Sequence, residues 1–409
     1  MFQSEIAHSE LRVVKESKKP GLRDRGKNNR LSLIVTMKIE RLGGSIVLLA
    51  EMSPSDYRFQ KWRSMSMMVA ELYRGTEYGD YGKAIERCGR YLRFKKVEVT
   101  DEIFGITETK LLLEAANFCR IRFCIFCQWR KSLMWHCKVL KEMPRIMEVY
   151  PEHRWLAVTL AGRNCEPKVL RQELKKMNNG LRKLFGLGGG VSRNRGVGKY
   201  LSRVLEGYIC TTEVTRGKDN SCHPHFHILL LVKPEYFDKE AGLYIPQQSS
   251  EKHENPGWVE LWQEAFGVSY RPTAHVQAVK TDDLKRQVCE VLKYNTKPSS
   301  VWYQQKVDIN GLHRMGFEET QKWLVEVTGQ VYKARFIKTG GCVKKLLRGL
   351  EEEPSDLIHV EEEDCDVVNS KGESVTFGWI GSDFYGLDLS YYALVDNETG
   401  EPVIVENNE

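Results

Sequence analysis

The sequence predicts an α+β protein built on an antiparallel sheet flanked by helices. Three observations predict it. Residues 222–227 read Cys-His-Pro-His-Phe-His and run into Ile-Leu-Leu-Leu-Val, a strand entering a core. Residues 167–185 carry Leu170, Leu174, Met177, Leu181 and Leu184 near helical spacing. From Arg154 onward such segments follow one another in the order strand, helix, strand, strand, helix, strand, helix.

Residues 1–50 begin as a polar, basic stretch that composition predicts to be a partly disordered arm, with a strand over 31–37. Residues 51–150 read as a helical, cysteine-containing region, with helices over 54–73 and 81–94. The core is expected over 151–300. Its first strand covers 155–160 and the amphipathic helix covers 167–185. A glycine-rich basic loop follows over 186–199. Strands over 207–215 and 223–232 are joined by a turn containing Lys218, Asp219 and Asn220. After a polar excursion over 233–255 come a helix over 258–266 and a strand over 274–279. Thr281 is expected to cap the next helix, whose first turn carries Asp282 and Asp283 as the helix dipole favours; Pro298 marks its end. Two split β-α-β units in this order make a ferredoxin-like sheet. Residues 301–340 extend the core, and 341–409 form an acidic, then aromatic, C-terminal unit or tail.

Length predicts about two or three domains. No apolar run approaches the roughly 20 residues that span a bilayer, and residues 1–10 lack the apolar stretch of a signal peptide, so a cytoplasmic protein without a membrane partner is expected. Eleven cysteines without a secretory signal favour reduced thiols and a metal site over disulfides. The net charge of +6 conceals an asymmetry: of 61 basic and 55 acidic residues, 351–409 holds one and 17, leaving 60 and 38 in the first 350. That body, at +22, predicts a polyanionic partner, most simply nucleic acid.

A strand aligns alternate side chains, so His223, His225 and His227 line one face, a row of imidazoles able to hold a metal; Phe226 and Leu229 are expected buried on the other. A second constellation follows Thr281. Glu290, Lys293, Tyr294 and Lys297 stand at i, i+3, i+4 and i+7, one helical face. A tyrosine between two lysines and a glutamate suits attack on a phosphate, the lysines stabilising charge and the glutamate moving a proton.

These residues carry a resemblance. His225-Phe226-His227 resembles the His-hydrophobe-His motif that names the HUH endonucleases, and residues 290–297 resemble their catalytic tyrosine helix. The glutamate four residues before the tyrosine is similar to that of rolling-circle replication initiator (Rep) proteins of small bacterial plasmids. Residues 155–160 resemble the first motif of that class, with Ala157 where its usual form has a second threonine. The resemblance implies an HUH nuclease core and a divalent cation, Mn2+ or Mg2+, held by His225, His227 and an acidic group. Glu213, on the preceding strand, is the expected third ligand, with His223 as a further ligand or a phosphate contact. It implies that Tyr294 attacks origin DNA, single-stranded or extruded as a hairpin, leaving a 5′-phosphotyrosine link and a free 3′ hydroxyl. Glu290 then activates water for the terminating cleavage and strand transfer, with Lys293 and Lys297 stabilising the leaving charge. A host helicase and DNA polymerase would be partners. An HUH transposase or conjugative relaxase shares the catalytic parts; a zinc-stabilised DNA-binding repressor would bind origin DNA without a covalent adduct.

Cys119, Cys124 and Cys127 form a Cys-x4-Cys-x2-Cys run, whose Cys-x2-Cys knuckle is a common half of a structural zinc site. Cys88 is the expected fourth ligand, with His136 and Cys137 as alternatives. Around it, Arg120, Arg122, Trp129, Arg130 and Lys131 mix basic and aromatic groups as a DNA-facing surface would. Gly186 to Lys199 imitates a phosphate-binding loop, but Arg193 stands five before Gly198 and Tyr200 replaces the Ser or Thr. Arg193, Arg195 and Lys199 are expected to touch DNA phosphates instead.

Overall fold

The computed structural model describes residues 12–14, 38–41, 44–100, 107–187, 196–238, 240–292, 316–347, 357–358, 372–380 and 391–405. The chain divides into two units, each gathered from separate stretches: 1–64, 89–117 and 367–409 in one, 65–88 and 118–366 in the other.

In the first unit, strand Tyr91–Thr100 pairs antiparallel with Thr107–Ala116 on one side and Ser374–Ile380 on the other, and Tyr391–Val395 completes the sheet. Leu92, Phe94 and Val97 are buried while Tyr91, Arg93 and Glu98 are exposed, the alternation of a half-buried strand. The Phe94 ring meets Phe59 and Phe377 edge-on, at 5.5 and 5.9 Å between centroids. The helix expected over 81–94 is corrected. A helix covers Gly79–Arg87, Cys88 is extended, and Gly89 turns the chain at φ 64° into the strand. Four short strands, Arg12–Val14, Lys38–Arg41, Gly44–Ile46 and Ile404–Val405, make a further sheet. The expected strand over 31–37 lies outside the described residues.

The second unit contains α1 (Ile125–Val149), β1 (Arg154–Ala161), α2 (Leu170–Leu184), β2 (Leu205–Arg216), β3 (Cys222–Val232) and α3 (Trp258–Phe266). β4 (Thr273–Ala278), α4 (Leu284–Val291), α5 (Phe317–Gln330), β5 (Ile337–Gly340) and α6 (Gly341–Leu346) follow. The strands lie in the order β5-β2-β3-β1-β4, every neighbour antiparallel. β3 therefore sits between β1 and β2, and β1 between β3 and β4. This is the expected ferredoxin-like plan, with β5 added at one edge.

Both faces of this sheet are covered. Leu156, Val158, Leu160, Phe226, Ile228 and Leu230 pack beneath α2 and α3. Trp155, Ile209, Leu229 and Leu231 pack beneath α1, α4 and α6. Residues 228–232 are consequently buried without a break, which explains their uninterrupted apolar run. Each large side chain so covered contributes about 1.5–3 kcal/mol relative to exposure. Leu229 was expected opposite the histidines; this is corrected, because strand parity puts it on their face, two residues beyond His227. α2 and α3 cross closely at Gly180, where a Cβ would lie 3.0 Å from the Phe266 Cα and 3.1 Å from the Trp262 ring. Thr281 does not cap α4: residues Thr281–Asp283 form a 3-10 turn and Asp283 is the N-cap, with no side-chain cap bond. Pro298 lies outside the described residues. Among the described residues, no helix is long and apolar enough to cross a membrane.

Candidate functional site

Register brings the site together. Glu213 on β2 stands opposite His225 on β3, Thr211 stands opposite His227, and Thr159 on β1 stands opposite His227 from the other side. All point to the face that carries α1, α4 and α6. The Glu213 residue is 3% exposed, and its Oε2 lies 3.1 Å from His225 Nε2 and 3.0 Å from His227 Nε2. The histidines retain partial access, at 12% and 30% of their side chains. The His225 and His227 rings meet edge-on at 4.7 Å.

The hydrogen bonds around the rings explain what this arrangement can hold. His225 Nδ1–H donates to the His223 carbonyl at 3.1 Å, which turns the Nε2 lone pair towards Glu213. Thr159 Oγ1 lies 3.5 Å from His227 Nδ1, on the ring edge away from Glu213. Carboxylate oxygen and imidazole lone pair then face each other as two acceptors, a repulsive pair unless a cation or a proton lies between them. One ligand atom from each of Glu213, His225 and His227 lies within 4.8 Å of the others. Two ligands at right angles on an octahedral cation with bonds of about 2.1 Å are about 3.0 Å apart, the edge length seen here. The donor set thus fits a divalent cation. His223 stands aside from it. Its Nδ1 lies 2.7 Å from Asn164 Oδ1, and burial, with neighbouring His225 adding, pushes its pKa down.

α4 lies on the same face, packed through Leu284, Val288 and Val291 against the cluster that holds Ile209, Leu229 and Leu231. Ser132 Oγ–H on α1 donates to the Leu292 carbonyl at 2.8 Å, fixing the end of α4. Glu290 is exposed in its final turn. Lys293, Tyr294 and Lys297 lie outside the described residues.

The cysteines form a second centre. Cys88 follows helix Gly79–Arg87, Cys124 is the N-cap of α1, and Cys127 is in its first turn. Cys88 Sγ is 3.4 Å from Cys127 Sγ and 3.7 Å from Cys124 Sγ, and Cys119 Sγ is 3.7 Å from Cys127 Sγ. Tetrahedral zinc with bonds of about 2.3 Å places sulfurs about 3.8 Å apart, so the four thiols fit zinc. Arg120 takes the left-handed region at φ 57°, which directs its N–H to Cys127 Sγ at 3.2 Å. Burial pushes the Cys124 thiol up, but hydrogen bonds with Cys119, Cys127 and Cys88 outweigh it and pull the thiol well below the ordinary range. His136 is engaged elsewhere, with Nε2 3.3 Å from the Cys289 carbonyl. Cys88 rather than His136 or Cys137 completes the set.

Of the residues expected to face DNA, Arg120 and Lys199 are exposed, and Arg122 and Lys131 are half-buried. Trp129 and Arg130 are corrected. They are 3% and 1% exposed, and the Arg130 guanidinium donates to the carbonyls of Leu357 at 2.8 Å and Ile358 at 2.6 Å. They are core residues on the inner side of α1. Arg193 and Arg195 lie outside the described residues. Sequence reasoning missed the places of Thr159, Asn164 and His275; His275 stands opposite Thr159 on β4. Strand register relates Thr159 and His275 to the histidine row, and a side-chain contact relates Asn164 to His223; neither is readable from spacing.

Residues 110–384 match the family model described as "Replication protein". The chain is 28% identical over 353 residues to "Protein rep" of Bacillus amyloliquefaciens, an alignment covering 79% of this chain and 91% of that protein. It is 29% identical to "Protein rep" of Lentilactobacillus hilgardii, covering 74% and 87%. Against "Protein rep" of Lactiplantibacillus plantarum the identity is 30%, covering 68% and 79%. No solved structure matches the chain.

Proposed function

The chain belongs to the replication-protein (Rep) family, and from that premise we propose that it initiates rolling-circle replication of a plasmid by nicking origin DNA. The observation that supports this most is the convergence of Glu213, His225 and His227 on the sheet face that also carries α4, the helix leading to Tyr294. A carboxylate and two imidazoles held this way suit a cation that activates a phosphate for cleavage.

In this reading Tyr294 is the nucleophile. Its phenol oxygen bonds to the scissile phosphorus, the bond to the 3′ oxygen breaks, and the phenol proton is passed on as the 3′ oxygen becomes a hydroxyl. Glu213, His225 and His227 would hold a Mn2+ or Mg2+, which would supply positive charge to the phosphate oxygens. Lys293 and Lys297 offset charge on the phenolate and the phosphate. The free 3′ hydroxyl primes a host DNA polymerase while a host helicase opens the duplex. When the origin is copied, Glu290 takes a proton from water for a second cleavage that leaves no second covalent link, and the first link is resolved by strand transfer. The four cysteines would hold zinc in a structural role. The protein is thus a metal-dependent, site-specific DNA endonuclease and strand transferase acting in the cytoplasm.

The test is denaturing electrophoresis after incubation with a 3′-end-labelled single-stranded origin oligonucleotide and Mn2+ or Mg2+, since the fragment that stays on the tyrosine is the one downstream of the nick. Wild type should give a protein band carrying the label, and Tyr294→Phe should give none. Glu290→Ala should still form the adduct but accumulate covalent or multimeric products. An undiminished adduct with Tyr294→Phe would remove the assignment.

A further inference from the structure

Beside the sheet lie two adjoining clefts in the second unit. The larger, about 360 Å³, is lined by Arg171 and Lys175 on α2, by Lys333 and Arg335, and by Lys338 on β5. The smaller, about 280 Å³, adds Arg120 and Arg122 from the segment that carries the four-cysteine centre. Tyr332 and Lys333 line both. Among the described residues, no aspartate or glutamate lines either cleft. Seven basic side chains and no carboxylate give the clefts one sign of charge, with Lys338 Nζ engaged by Asn178 Oδ1 and Thr212 Oγ1.

The turn between the clefts is tied by two arginines. Arg171 donates to the Gly329 carbonyl at 2.5 Å, and Arg122 donates to the Ala334 carbonyl at 2.5 Å. The Arg122 guanidinium also stacks on the Phe336 ring at 3.9 Å. Lys333, at the tip, takes the left-handed region at φ 56°, unusual for a residue with a Cβ. Tyr332 beside it is 54% exposed, with Lys333 Nζ 5.2 Å from its ring centroid. An aromatic ring presented among cations is the composition that binds unpaired nucleotides, with phosphates on the cations and a base on the ring.

The clefts lie across the sheet from the candidate metal centre, one residue away along β2. Thr212 N–H donates to the Phe336 carbonyl at 2.8 Å, so the chain entering β5 runs beside residues 212–213 of β2. Thr212 lines the larger cleft, whereas its neighbour Glu213 faces the opposite side of the sheet. A strand leaving the metal centre reaches the cleft by passing one sheet edge. We infer that these two clefts form a guide for single-stranded DNA flanking the cleavage site, with Lys175, Lys333 and Arg335 on the phosphates and Tyr332 stacked on a base. The inference rests on the nicking reading for its choice of DNA as the strand.

The experiment is fluorescence anisotropy of a labelled oligothymidine and of a blunt duplex, over a salt series, with zinc-loaded full-length protein. The variants are Lys175→Ala/Lys333→Ala/Arg335→Ala combined and Tyr332→Ala; these exposed side chains are replaceable without loss of core, which matching thermal unfolding would verify. The triple variant should reduce the slope of log K against log salt by about 2 for the single strand, at about 0.7 per phosphate. Tyr332→Ala should weaken oligothymidine binding about 5- to 150-fold with the slope unchanged, and leave the duplex unaffected. An unchanged slope in the triple variant overturns the inference. So does a Tyr332→Ala variant that binds oligothymidine as wild type does, which would make the surface a duplex-backbone patch. Adduct formation by wild type is scored separately. A guide that passes these tests in a protein forming no adduct would separate this inference from the nicking proposal.

Discussion

Replacing Glu213 by Gln separates a metal ligand from a merely buried carboxylate. The substitution keeps the shape and removes the charge that draws a cation between Oε2 and the two imidazole nitrogens at 3.0 and 3.1 Å. A ligand present at 100 times its Kd stabilises the native state by about 2.7 kcal/mol. The unit concerned spans residues 65–88 and 118–366, a size at which 1 kcal/mol moves Tm by about 2 °C. Wild type loaded with zinc should therefore gain about 5 °C on saturation with Mn2+. Glu213→Gln should gain under about 1 °C at the same Mn2+ concentration. Without Mn2+ the variant should melt no lower than wild type, because removing a buried carboxylate that faces two imidazoles removes a desolvation cost. Differential scanning calorimetry reads both numbers. A full Mn2+ shift in Glu213→Gln would refute the ligand set. A variant that melts several degrees lower whether or not Mn2+ is present would show a structural ion pair instead.

Further expectations follow from other parts of the molecule. Cys88→Ser should lower zinc content, read by inductively coupled plasma mass spectrometry, from one equivalent towards none, whereas Cys137→Ser should leave it unchanged. Arg130→Met should destabilise by about 2–4 kcal/mol in urea, since two buried carbonyls lose a charged donor. Its salt dependence of DNA binding should stay that of wild type, and a lower slope would return Arg130 to the DNA surface. Gly180→Val should cost about 1–3 kcal/mol by forcing α2 and α3 apart, measured as a lower urea midpoint; an unchanged midpoint would mean that the crossing has slack.

The core was legible because its patterns are local. The helical spacing of Leu170, Leu174, Met177, Leu181 and Leu184 is present in α2 with all five side chains buried. The histidine row survives because alternation along one strand needs no partner to be read. What failed depended on partners. Tyr91, Leu92, Arg93 and Phe94 alternate, but only over a few residues before Lys95 and Lys96 interrupt the pattern, and the strand exists because residues 107–116 and 374–380 flank it. Trp129 and Arg130 looked like a DNA surface because composition does not tell which side of α1 faces inward. Arg130 is an unusual core residue, satisfied by carbonyls of Leu357 and Ile358 more than 200 residues away. The pairing of Ser374–Ile380 with its two neighbouring strands also changes the meaning of the C-terminal segment. Phe377 and Tyr392, which looked like part of a tail, are fully buried in strands of the first unit's sheet.

The sheet of the second unit divides its labour by position along each strand. From Ile228 onward, β3 is covered on both faces, and the rigidity of that half is what holds the other half in place. Toward Cys222, the same strand alternates buried and half-exposed residues, and the half-exposed ones are the histidines. A carboxylate oxygen held 3.0 and 3.1 Å from two imidazole nitrogens needs a frame stiffer than the side chains themselves. The β2–β3 register is that frame, since Glu213 is paired with His225 and stands two positions along, on the same face, from the pair of Thr211 with His227. A one-residue slip of that register would turn Glu213 to the α2 side and leave the histidines without their carboxylate. Residues 228–232 oppose that slip most strongly, because any shift would exchange two differently shaped cores at once. The apolar run that looked like simple core in the sequence is therefore what sets the geometry of the candidate centre several residues away.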